Sequence, residues 1–285
     1  MTYDYIVIGS GIAGTILSNE LSETSNSILL IECGERKINK FYNKFYKGNI
    51  SSDSLKHGDP DKYRNIILGG TSKSWGGAIC KLNNHDFKIK DKDGENYWPF
   101  DKFFLEKFYK KAEIYFGMDN TNNNNFSVFN KENIKFKNFD TNVLYRKYGK
   151  SINFEKYLKN KKFNLILDTQ VLDFEINDSQ IKSIITYNYK KKERKSFRGK
   201  KIIICTGGIE STRLVLSSKL IKNIKNRGIV GKYYSPHVTL PLGIISKINK
   251  HSPDIMYDYN KINNQLTYKP FLNTNQNLVQ DQNLL

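Results

Sequence analysis

Long apolar runs are missing from this 285-residue chain: nothing in it reaches the roughly 18 consecutive apolar residues that a bilayer-spanning helix needs. Cysteine is scarce too. The three present, Cys33, Cys80 and Cys205, are odd in number and show no metal-ligand spacing, so neither a disulfide framework nor a metal site is expected, and a reducing compartment fits. Two of them follow apolar strand residues, where a thiol serves as a small buried side chain. Histidine falls to four residues, which leaves few candidates for a proton-accepting base. A first strand begins within a few residues of Met1, leaving no room for a signal peptide, and the expectation is a cytoplasmic protein with no transmembrane segment.

Acidic residues are also under-represented, 28 against 46 Lys and Arg, for a formal charge of +18 and a pI near 9.5. The excess is spread along the chain in company with Asn, Ile, Tyr and Phe. All of these are residues of A/T-rich codons, so base composition accounts for the bias. The densest basic cluster, Lys190 to Lys195, lies between two strand-like runs and reads as an exposed hairpin loop. No nucleic-acid-binding motif accompanies the charge, and nucleic acid is not expected as a partner. A basic surface still attracts anionic substrates or headgroups at long range. The length allows one large or two modest domains.

What is present begins at Tyr3. Tyr5 to Ile8 form an apolar strand suited to burial on both faces. Gly9-Ser10-Gly11-Ile12-Ala13-Gly14 follows as a glycine turn, then a helix with Ala13, Ile16, Leu17 and Leu21 on its apolar face. A second apolar strand, Ile28 to Ile31, ends at Glu32. Each part has a task in holding a dinucleotide. Gly9 allows the tight turn, Gly11 lets the backbone approach a pyrophosphate, and Gly14 lets the helix sit close against the sheet. The amides at the helix start face the phosphates. Glu32, about 18 residues beyond Gly14, is placed to accept hydrogen bonds from a ribose. This stretch alone leaves FAD and NAD both open.

Residues 37–65 are polar and aromatic without clear period, a long excursion of the kind that tends to be functional. Ile66 to Gly77 follows, with glycines at 69, 70, 76 and 77 and hydroxyl side chains at Thr71, Ser72 and Ser74. Such a segment wraps a ligand with backbone amides at close range. From 97 to 118 the pattern is a helix capped by Asp101 and ended by Gly117, with Phe104, Phe108, Tyr115 and Phe116 as a core-facing stripe. Thr121 to Asn125 is a low-complexity loop. Asn142 to Lys147 and Ser151 to Asn160 are weak helix candidates. Strands then come at Asn164–Leu167, Val171–Ile176 and Ile181–Tyr189, the last two as an antiparallel pair around an Asn177-Asp178 turn. Lys201 to Glu210 repeats the opening logic of buried strand, glycine pair and helix start.

Taken together these motifs resemble the glucose–methanol–choline oxidoreductases, FAD enzymes that oxidise alcohols and sugars. The resemblance rests on Asp4-Tyr5, Gly9, Gly11, Gly14 and Glu32, on Gly69-Gly70-Thr71-Ser72 with Trp75-Gly76-Gly77, and on Gly207, Glu210-Ser211 and Arg213-Leu214. It covers nearly all of residues 1–245. It implies an α/β fold: an FAD-binding, Rossmann-like, three-layer ββα domain over residues 1–235, with a helical and loop excursion at 95–162. Residues 236–285 would be the incomplete start of an antiparallel-sheet substrate domain. The second glycine turn favours FAD over NAD. The implied FAD contacts are Gly9, Ser10, Gly11, Gly14, Glu32, Gly69, Gly70, Thr71, Ser72, Val171, Thr206 and Gly207. Ser74 stands where some relatives carry a flavin-linked His, which implies non-covalent FAD. His237, after Pro236, matches a structural His at the entry to the substrate domain, and the catalytic base is left unassigned. The implied chemistry is hydride transfer from a CH–OH carbon of a small alcohol or sugar to the flavin. The residues that would complete it belong to a longer partner sequence, a separately encoded C-terminal half being one form of it. The alternative is a non-catalytic FAD-binding remnant.

Overall fold

The computed structural model describes residues 1–51, 59–82, 84–88, 98–117, 139–147, 154–159, 162–234, 260–261 and 266–274. The chain divides into two units, Met1–Trp75 with Asn153–Pro241, and Gly76–Ile152 with Leu242–Leu285. In chain order the first unit opens with β1 (Thr2–Ile8), α1 (Ile12–Ser22), β2 (Ile28–Ile31), α2 (Lys40–Asn43) and α3 (Pro60–Tyr63). The second contributes β3 (Ala78–Ile79), α4 (Lys102–Phe116) and β4 (Phe139–Lys147). The first resumes with α5 (Glu155–Leu158), β5 (Asn164–Ile166), β6 (Thr169–Asn177), β7 (Gln180–Asn188), β8 (Glu193–Ile204) and α6 (Gly208–Ser217). The second ends with β9 (Asn260–Lys261) and β10 (Leu266–Thr274).

One mixed sheet of order β5-β2-β1-β8-β7-β6 organises the first unit. β5, β2, β1 and β8 run parallel, whereas β8, β7 and β6 are antiparallel. β8 joins the two regimes. Its Glu193–Arg198 half pairs with β7, and its Arg198–Ile204 half pairs with β1 in the register Tyr5↔Lys201 to Ile8↔Ile204. Val171 and Phe174 of β6 and Ile184 of β7 share a core with Ile6, Ile8, Leu29 and Ile31. The antiparallel wing therefore covers one face of the parallel strands. On the other face Val7, Ile28 and Leu30 pack with Leu17 and Leu21 of α1 and with Leu68. The result is a sheet–sheet–helix layering, and the apolar run of β2 is buried along its whole length.

In the second unit a four-stranded sheet has the order β3-β4-β10-β9. Here two expectations change. Asn142 to Lys147 is strand, not helix: β4 pairs with β10 over nine residues, and that long-range pairing overrides weak local propensity. Of the stretch from Ser151 to Asn160, the described residues hold the single turn α5 as helix. The capping of α4 is as read: Asp101 accepts from the Phe104 amide at 3.0 Å, and Gly117 takes φ 69°. Its aromatic stripe is not core, however. Tyr115 is buried, but Phe104 and Phe108 are about half exposed, and Phe100, Phe104 and Phe108 contact one another ring to ring under Lys107. The Thr121 to Asn125 run, Tyr97, Pro236 and His237 lie outside the described residues. Among the described residues no helix is long and apolar enough to cross a membrane.

Candidate functional site: a cleft at three glycine turns

The carboxyl ends of β1, β2 and β8 come together at the edge of a cleft of about 300 Å³. The backbone ties them: the Gly9 amide donates to Ile31 O at 2.8 Å, and the Cys205 amide donates to Ile8 O at 2.7 Å. In open α/β sheets this end of the strands is where ligands bind.

Glycine is required where the turns touch. Gly9 has φ +97°, and a side chain there would meet the Cys205 carbonyl at 2.7 Å. A Cβ on Gly14 would sit 1.9 Å from the Gly9 carbonyl oxygen, so α1 packs directly on the turn. Gly11 and Gly207 differ, because a Cβ at either would meet no protein atom within 4 Å. Both line the cleft, so such a methyl would occupy the space left for a ligand. The cradle fits a pyrophosphate-bearing cofactor on this ground: bare backbone faces open space beside the N-termini of two helices.

The second glycine segment is pressed onto the first. Gly70 has φ +60°, and a Cβ on it would lie 3.0 Å from Gly11 Cα. The Gly69 amide donates to Ser10 Oγ at 3.0 Å, and Ser72 Oγ donates back to Gly69 O. Lys73, in the same turn, pairs with Glu155 at 3.1 Å. Thr71 Oγ1 accepts from the Asn65 amide at 3.2 Å. Gly70, Thr71 and Ser72 thereby line the cleft.

Glu32 is the buried charge of the site. Its Oε2 accepts from the Ser10 amide at 2.9 Å and Ser10 Oγ at 2.7 Å, and its Oε1 accepts from the Gly34 amide at 2.8 Å. Burial raises its pKa above the ordinary carboxylate value, and these hydrogen bonds pull the other way. Glu32, expected to accept from a ribose, also stitches the glycine turn to the end of β2, and it lines the cleft.

Of the residues singled out in the sequence, Gly9, Gly11, Glu32, Val171, Thr206 and Gly207 line the cleft together with Gly70 to Ser72. Ser10, Gly14 and Gly69 stand behind the lining and hold it in place. Sequence reasoning missed the wall contributed by the 37–65 excursion, namely Phe45, Tyr46 and Asn65. The rings of Phe41, Tyr42, Phe45 and Tyr189 cluster there, with Tyr42 Oη donating to Asp168 at 2.7 Å. Arg64 lies 4.0 Å over the Tyr46 ring and pairs with Glu210 at 2.9 Å. Arg213 holds the other oxygen of Glu210 at 2.5 Å. The Glu-Ser-x-Arg spacing was the one available signal for that pair. Burial raises the Tyr46 phenol and the Cys33 thiol well above their ordinary pKa values, so both stay neutral in this wall.

No family model matches the chain. A dehydrogenase, str4, of Strobilurus tenacellus is 28% identical over 129 residues, which is 40% of this chain and 21% of that protein. The oxygen-dependent choline dehydrogenase of Staphylococcus aureus (strain JH9) is 29% identical over 136 residues, 41% of this chain and 23% of that protein. Both matches agree with the resemblance to the glucose–methanol–choline oxidoreductases read from the motifs. Solved structures agree at the level of fold. Pyridoxine 4-oxidase from Mesorbium loti superposes with a TM-score of 0.52 at 14% identity, covering 76% of this chain and 52% of its own. A formate oxidase variant from Aspergillus oryzae, whose structure concerns FAD modification, gives 0.51 at 13%, covering 76% and 47%. The chain thus spans about half the length of those structures, and its matches take in under a quarter of the curated relatives.

Proposed function

We propose that the chain binds FAD without a covalent bond and forms the cofactor-holding part of an oxidoreductase acting on CH–OH groups of alcohols or sugars. In this reading residues 1–235 hold the cofactor, and 236–285 open the substrate domain. The observation that carries it is the convergence of three glycine turns, separated by some 200 residues of sequence, on one cleft. A plain NAD unit needs only the first of them.

Gly9, Gly11 and Gly70 would face the pyrophosphate with bare backbone, and the N-termini of α1 and α6 would add their partial positive charge. Glu32 would accept from the ribose, and the Val171 backbone would meet the adenine. When bound, FAD supplies the hydride acceptor for the reaction. The hydroxyl proton must pass to a base within hydrogen-bond reach, which this reading places on the substrate side. The choline named for the staphylococcal relative is one member of the substrate class.

The test is a titration of purified apoprotein with FAD, followed by flavin fluorescence and melting temperature. Saturable quenching with a yellow, flavin-containing product that releases free FAD on denaturation is the expected result. A colourless protein whose melting point ignores FAD rejects the cofactor reading, and flavin retained after denaturation rejects non-covalent attachment.

A further inference from the structure

Arg213 of α6 lines the cleft, as does Cys33 just past the end of β2. The Arg213 side chain is partly exposed, yet one edge of it is anchored. Nε is held at 2.5 Å by Glu210 Oε2, and Glu210 is only 9% exposed. The other Glu210 oxygen is held by Arg64, itself packed on the Tyr46 ring. The carboxylate thus clamps one edge of the Arg213 guanidinium. Among the described residues no hydrogen bond takes up the terminal N–H groups of Arg213. The cleft that Arg213 lines is also lined by Ile31, Glu32 and Cys33, the end of β2 and the residues that follow it. A dinucleotide lays its adenosine ribose at the end of the second strand of this βαβ unit.

We propose that Arg213 contacts the adenosine half of the bound dinucleotide, donating to ribose or adenine acceptors, with Glu210 as the residue that positions it. The assignment rests on the FAD reading above and adds a contact that reading does not include. A guanidinium fixed through Nε presents its remaining N–H groups in one plane, so little rotamer freedom is lost on binding. Glu32 and Arg213 would then take the two sides of the same sugar, one accepting and one donating.

The experiment measures FAD and ADP affinity of the full chain, wild type and variants, by fluorescence quenching and calorimetry. Losing one charge-assisted contact costs roughly tenfold or more in Kd. Arg213→Ala is expected to weaken FAD and ADP alike by about that factor, with the apoprotein melting temperature unchanged because the side chain is partly exposed. Arg213→Lys should recover only part of the loss. Glu210→Gln should weaken both ligands in the wild-type background and add nothing in the Arg213→Ala background, a non-additivity that a purely structural role would not produce. If wild type binds both ligands and Arg213→Ala binds them equally well, the inference is wrong and the FAD reading stands. If wild type binds neither, the FAD reading itself fails. A loss that disappears at high salt would put Arg213 on the phosphates and overturn the adenosine assignment.

Discussion

Gly11 and Gly14 sit three residues apart in one motif and do different work. Gly14 has the Gly9 carbonyl where its Cβ would go, so Gly14→Ala must push α1 off the turn. Overpacking of this kind costs about 1–3 kcal/mol or more, and urea denaturation should show the loss with or without FAD. Gly11 has φ −60° and open space beyond it, so Gly11→Ala should fold with wild-type stability yet bind FAD much more weakly. Equal stability loss in both variants would contradict the open cradle. Glu32 offers a second residue-scale test. Burial holds its carboxyl above the usual range, and a ribose hydroxyl donates more strongly to the ionised form than to the acid. FAD affinity should therefore be flat above the pKa of Glu32 in the free protein and fall as pH drops through it, at higher pH than an exposed glutamate would cause. Binding measured across a pH series should show this fall in wild type, and Glu32→Gln should abolish it. In the free protein the same raised pKa gives stability that is present at low pH and lost as pH rises through it, so the FAD loss should not simply track unfolding.

At the scale of elements, β8 decides the architecture. It is read in the sequence only as the apolar run Lys201 to Ile204, because its first half opens with the charged run Glu193 to Lys195 at the end of a basic cluster read as loop. Pairing with β7 makes that half strand, and Gly199 lies where a Cβ would crowd Ile6 at 2.8 Å. A single strand thus carries the antiparallel wing over the parallel core. α4 shows the opposite balance. Its ends follow from local chemistry, Asp101 before it and a left-handed Gly117 after it, and both hold. Asp101→Ala should cost about 1 kcal/mol of local stability, read as faster hydrogen exchange in the first turn of α4. Unchanged exchange there would mean the cap is dispensable. Its aromatic stripe was legible as a pattern but not as an environment, since a ladder of rings under Lys107 and a buried core face have the same spacing.

For the whole molecule, ligand binding and stability are one quantity. If the glycine turns hold FAD, free cofactor at about 100 times its Kd should stabilise the chain by about 2.7 kcal/mol, and the melting temperature in the titration proposed above should rise by several degrees. The rise should be confined to the first unit, which contains every residue of the cleft. The charge of +18 describes the surface rather than the site, where Glu210 pairs with Arg64 and Arg213 and Glu32 is tied to Ser10 and Gly34.

The sequence by itself determined the βαβ opening, the positions of the three glycine turns and the resemblance to the glucose–methanol–choline oxidoreductases. It could do so because turn geometry and apolar periodicity are local properties that specific residues enforce. Only the tertiary structure decided that the turns share one cleft, that Glu32 is tied to Ser10 and Gly34, and that the 37–65 excursion brings Tyr46 and Arg64 to Glu210. Those are contacts between residues far apart in the chain, chosen by packing and by the need to pair a buried carboxylate, and no local pattern encodes them.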